Sequence, residues 1–138
     1  ILILVLIIIG AFVSGLDAGK IYQTWPLMGK SYLPNDLNIT NFTNILEFNN
    51  HSLVQFYHRN LAYLIVLYIL FLSLYILHKK IKHLYKPLKL LLFFIFLQAV
   101  LGILTLVSGL NIFLASAHQI TSVLLVFSAI NIYHLRAK

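Results

Sequence analysis

His58 and His118 each lie about five residues inside one end of a strongly apolar run. An ionisable ring in such a place is costly unless it has a partner, and titratable groups within a membrane span face the bundle interior and mark functional sites. A neutral imidazole offers a nitrogen lone pair, which makes it a ligand for haem iron or for another metal. From the first apolar residue of each run, Leu53 to His58 and Phe113 to His118 are equal steps, so the two rings sit at matching depth.

The solvent of these runs follows from composition. Of 138 residues, 61% are hydrophobic and 9% charged, far from the balance of a water-soluble domain. A soluble core of this size could not hide so many leucines, isoleucines and phenylalanines, whereas a bilayer demands runs of about 20 of them. The expected fold is therefore an all-α integral membrane protein, an up-down four-helix transmembrane bundle forming one domain over residues 1–138. The expected spans are residues 1–17, 53–77, 88–108 and 112–133, with an outer loop at 18–52. Strand-favouring side chains do not alter this, because in lipid the backbone hydrogen bonds must close within the segment. The first run opens in mid-pattern, without Met or a basic leader, and reads as the tail of a longer helix.

Charge placement orients the bundle. Lys79, Lys80, Lys82, Lys86 and Lys89 surround the link between the second and third spans, and Arg136 and Lys138 follow the fourth. These regions belong on the cytoplasmic or matrix side by the positive-inside bias. All three acids, Asp17, Asp36 and Glu47, fall at or in the outer loop. The net charge of +7 is thus a topology signal that also attracts anionic lipid. No basic stripe with stacking aromatics lies outside the spans, which argues against nucleic acid. With no cysteine, disulfides and thiolate ligation are excluded. Tyr22, Trp25 and Tyr32 of the outer loop are expected at headgroup level. The triplets beginning at Asn38, Asn41 and Asn50 read as chance glycosylation matches in an asparagine-rich loop.

Spans two and four run in the same direction and are diagonal partners in an up-down bundle, about 14 Å apart for helices packed at 8 to 10 Å. That separation lets two imidazoles approach one iron from opposite faces. On the third span Gln98, Gly102, Thr105 and Gly109 share a small or polar face, as do Gly10, Ser14 and Asp17 on the first. Such faces leave room for a flat ligand and are also ordinary helix-packing surfaces. Arg59, about 100° around the helix from His58, has three open readings: snorkelling to headgroups, clamping a propionate, or pairing with Asp17. His78 and His134 lie 20 and 16 residues from His58 and His118, about 30 and 24 Å along a helix, and are read as interfacial. His51 and His83 fall in connections.

Several stretches are also similar to a known family. Gly15-Leu16-Asp17-Ala18-Gly19 with Tyr22, Thr24-Trp25-Pro26-Leu27-Met28 and Pro34, then Val54-Gln55-Phe56-Tyr57-His58-Arg59, then Ala117-His118-Gln119, together resemble haem A synthase of the alphaproteobacterial and mitochondrial type, in its C-terminal half. The likeness runs through essentially the whole chain, in order. It implies half of an eight-helix pseudo-symmetric protein in a bacterial plasma membrane or mitochondrial inner membrane. It further implies haem b as cofactor, with His58 and His118 as axial ligands of the iron and Arg59 as a candidate propionate contact. The family oxidises the C8 methyl of haem O to a formyl group, giving haem A for terminal oxidases. The implied partners are haem O, haem O synthase and other oxidase assembly proteins. With Gln55 three residues before His58 and no acid in spans two to four, this chain is expected to be the cofactor half, without catalytic residues of its own and inactive alone. A small bis-histidine cytochrome b that relays electrons is the alternative, and a transporter or assembly subunit with merely packed histidines is a third.

Overall fold

The computed structural model describes residues 1–36 and 47–136; the triplets at Asn38 and Asn41 lie outside the described residues. Four α-helices follow one another: α1 Leu2–Gly15, α2 His51–His78, α3 Tyr85–Val107 and α4 Ile112–Arg136. Single 3-10 turns lie at Ala18–Lys20 and Lys82–Leu84. Three helices, of 28, 23 and 25 residues, are about 42, 35 and 38 Å long. All three are long and apolar enough to cross a membrane, while α1 is equally apolar but shorter. The chain is an all-helical membrane protein.

The helix ends have local causes. The Asn50 side chain accepts a bond from the Leu53 N–H at 3.1 Å, which starts α2 two residues before the first apolar residue and takes in His51. That use of Asn50 is an ordinary N-cap. Pro87 sits in the first turn of α3, where no intrahelical bond needs its missing N–H. At the end of α3, Gly109 (φ 73°) donates to Leu106 at 3.3 Å while Leu110 donates to Thr105 at 2.9 Å, the paired bonds of a Schellman stop. The end of α2 repeats this arrangement with Lys80 (φ 53°) in the left-handed position: Lys80 donates to Leu77 and Ile81 to Ile76, each at 3.1 Å.

The helices pack as two close pairs, α1 with α2 and α3 with α4, joined by thinner seams between α2 and α3 and between α1 and α4. Thus α2 and α4 stand across the bundle from each other. Inward positions recur every three or four residues. Toward the end that carries the α2–α3 link these are Ile65, Ile69 and Ile76 of α2, Leu88, Leu91 and Ile95 of α3, and Leu125 and Ile132 of α4, with Ile3 and Leu6 of α1 against them. Continued toward the outer side, the same faces carry His58, Gln98 with Gly102, and His118. On the opposite faces Phe71, Phe96 and Phe127 are each more than 60% exposed, as suits side chains that meet lipid.

A lysine in the left-handed region costs about 1 kcal/mol or more relative to glycine, and exposed Lys80 gives nothing back through packing. Lys80→Gly is therefore expected to stabilise the bundle by about 1 kcal/mol, read as a shifted midpoint in detergent unfolding; a destabilised variant would contradict the capping account.

Candidate functional site

Six buried side-chain polar atoms among the described residues have no hydrogen-bond partner: Oε1 of Gln55, Nδ1 of His58, Nε of Arg59, the Tyr63 hydroxyl, Oε1 of Gln98 and Nδ1 of His118. All lie in the outer half of the bundle, on α2, α3 and α4. A buried polar group left unpaired costs about 1 to 3 kcal/mol, so this concentration marks a place built for a polar or metal-bearing guest.

The two histidines are placed alike. His58 lies seven residues after the first residue of α2 and His118 six after that of α4, a difference of about 1.5 Å in depth. Each ring leans on the neighbouring helix of its own close pair. The Cε1 edge of His58 meets α1 at Gly10, where a built Cβ would lie 3.0 Å away, and that of His118 meets α3 at Gly102, at 3.1 Å. The backbone carbonyls of Leu6 and Gln98, one turn before those glycines, face the rings, yet neither Nδ1 completes a hydrogen bond. Both residues remain partly exposed although Nδ1 is sealed. The small faces foreseen as room for a flat ligand are thus occupied, at Gly10 and Gly102, by imidazole.

Gln98 does more than share a face with Gly102. Its Nε2 donates to the His118 carbonyl across the α3–α4 seam at 2.9 Å, and the Thr121 hydroxyl bonds the Ala117 and His118 carbonyls from within α4. The backbone under His118 is fixed from two sides.

Above His58 the outer loop is held by a latch centred on Tyr22. Its carbonyl accepts from Gln55 Nε2 at 2.9 Å and from Arg59 Nη2 at 2.8 Å, and Arg59 Nη1 donates to the Leu27 carbonyl at 3.2 Å. The Tyr22 hydroxyl donates to Asp36 Oδ1 at 2.8 Å, and the Ser52 hydroxyl donates to Oδ2 at 2.6 Å. Tyr32 bonds Asn60 one turn along α2. Leu110, from the α3–α4 link, sits on Gly19 so closely that a Cβ there would lie 2.9 Å from it.

One expectation changes here. Arg59 does not reach Asp17, which pairs with Lys20 at 2.9 Å; it is held by the loop carbonyls instead. Tyr22 is half-buried, and Trp25 and Tyr32 are exposed. His78 and His134 are exposed at the inner helix ends. Among the described residues no group of three or more His, Cys, Asp or Glu side chains could hold a metal ion.

Residues 1–130 match the family described as cytochrome oxidase assembly protein. The chain is 42% identical over 130 residues to the protein named Heme A synthase of Pelagibacter ubique, covering 92% of this chain and 37% of that one. It is 39% identical over 130 residues to the Heme A synthase of Wolbachia pipientis wMel, at 94% and 35% coverage. Against that of Bartonella tribocorum it is 38% identical over 139 residues, at 99% and 38%. The chain spans a little over a third of the length of these relatives. No solved structure matches it.

The latch has a pH window. Burial alone would raise the Asp36 pKa, but the bonds from Ser52 and Tyr22 outweigh it and hold the carboxyl below its ordinary 3.8. Burial, then the bond to Asp36 and its charge, push the Tyr22 phenol above 10.0. The carboxylate's contribution is therefore present above pH 3.8 and lost as pH falls through the lower folded value. The phenol's contribution is present below pH 10.0 and lost as pH rises through the higher folded value. Protease resistance of the outer loop should be flat between these limits and fall outside them. Asp36→Asn should lower the plateau and flatten the acid limb; an unchanged acid limb in the variant would remove Asp36 from the latch.

Proposed function

Because the chain belongs to the haem A synthase family of cytochrome oxidase assembly proteins, we propose that it forms the part of such an enzyme that holds a haem b between His58 and His118. The observation that carries this reading is the placement of two histidines at matching depth on α2 and α4, across the bundle from each other, each with its Nδ1 sealed against protein. A bare metal ion needs about four protein ligands, whereas a porphyrin brings four nitrogens and asks the protein for only two. Two isolated histidines fit the second case.

The chain's own residues do the rest. With Nδ1 of each ring sealed against protein, the Nε2 lone pair is the one that would be left for iron. Gln98 fixes the His118 backbone. Arg59 holds the outer loop over His58 and keeps Nε, a charged donor, for a propionate. The latched loop above and the aliphatic core below exclude water. Haem b, when bound, supplies a one-electron couple. No carboxylate lies on α2, α3 or α4, which suits a cofactor site better than a site of substrate oxidation.

On this reading the whole protein oxidises the C8 methyl of haem O to a formyl group, and the length found in the relatives but not in this chain supplies the substrate half. Its membrane is a bacterial plasma membrane or a mitochondrial inner membrane, where haem O synthase and oxidase assembly proteins are the expected partners.

Purified protein should show a reduced b-type spectrum, lost in His58→Ala and equally in His118→Ala. A colourless wild type, or a low-spin spectrum that survives either substitution, contradicts the proposal. The chain of residues 1–138 should bind haem b yet leave haem O unconverted, and haem A among its extracted pigments after incubation with haem O would overturn the division into halves.

A further inference from the structure

We infer that Gly10 and Gly102 are positioning residues that set the ring planes of His58 and His118, one glycine for each imidazole. The inference rests on the haem reading for its consequence, though the contacts themselves do not.

The two arrangements are built alike on different helices. In each close pair, one helix supplies the histidine and the other a glycine directly against its Cε1 edge. Measured from where a Cβ would stand, Cε1 of His58 lies at 3.0 Å with Nδ1 at 3.5 Å and Nε2 at 3.8 Å. For His118 the three distances are 3.1, 3.6 and 3.6 Å. Cε1 lies between the two nitrogens, so a ring resting on that edge presents one nitrogen to either side of the contact. In both cases the carbonyl that faces the ring comes from the residue four before the glycine. The glycine removes the obstacle that a side chain would place against that edge of the ring.

An added methyl would sit closer to Cε1 than in nine of ten real Cβ contacts. The imidazole would then have to turn or withdraw by a few tenths of an ångström, because its backbone lies in the middle of a long packed helix. Metal–ligand distances hold to about 0.2 Å, so such a displacement is enough to weaken or break an axial bond. Mid-helix glycine is otherwise unfavourable relative to alanine, so alanine should not harm α1 or α3 as helices. Gly15, on the same helix as Gly10, has nothing within 4 Å of its Cβ position and is the matched control.

The test uses Gly10→Ala, Gly102→Ala and Gly15→Ala in the haem-loaded protein. Wild type and Gly15→Ala should be low-spin and closed to carbon monoxide. Each of the other two should lose at least half of the low-spin ferric EPR signal, gain high-spin signal, and bind carbon monoxide when reduced. Low-spin spectra identical to wild type in both variants overturn the inference. A colourless wild type overturns the haem reading and leaves the contacts to a second measurement. In haem-free wild-type protein, histidine-selective NMR should show an NOE from the His58 Cε1 proton to Gly10 and from the His118 Cε1 proton to Gly102. This needs no variant to fold, and absence of both NOEs overturns the inference whatever the spectra show.

Discussion

An imidazole held inside a membrane-spanning bundle must be partnered, because hydrocarbon offers neither water nor counter-charge. The bundle meets this demand unevenly. Backbone groups close within the helices, and Ser73 and Ser128 satisfy their hydroxyls on carbonyls of their own helices. In the outer half the polar atoms that remain are the histidine nitrogens and their neighbours Gln55, Arg59, Tyr63 and Gln98. Among the described residues the unmet hydrogen-bonding capacity is concentrated where the inward faces of three helices converge, and the proposed haem is a guest that would account for two lone imidazoles together.

The remainder of the fold serves that half. The half near the α2–α3 link is an aliphatic core that holds the helices in two close pairs, so that each histidine is braced by its own neighbour. The outer loop closes over the other end. Gln55 and Arg59 meet on one carbonyl of Tyr22, while Asp36 joins Tyr22 to Ser52. The latch ties the loop to the turn of α2 that carries His58, so a disturbance of the loop reaches that histidine through Gln55 and Arg59, at three residues before and one after it.

Much of this was legible in the sequence. Four apolar runs predict four helices in the right order, and equal steps from the run ends predict that His58 and His118 lie at matching depth. The shared face of Gln98 and Gly102 was visible as a pattern, but not that the glycine carries an imidazole or that the glutamine holds the His118 carbonyl. Periodicity places a residue on a face without saying which neighbour fills it. The Tyr22 latch was hidden for a different reason: its main acceptors are backbone carbonyls, which every residue has. The left-handed Lys80 left no trace either, since nothing in side-chain type announces that a lysine stands where glycine is usual. Arg59 had three readings in sequence; Asp17 pairs with Lys20 instead, and the guanidinium donates to the Tyr22 and Leu27 carbonyls, acceptors that no side-chain pattern announces.

The central claim is that one iron is held by both histidines. ENDOR spectroscopy of the ferric protein, grown with nitrogen-15 in histidine alone, tests it most directly. The account predicts two nitrogen-15 couplings of similar size on a single low-spin iron, one from each ring. A single coupling, or none, would contradict it.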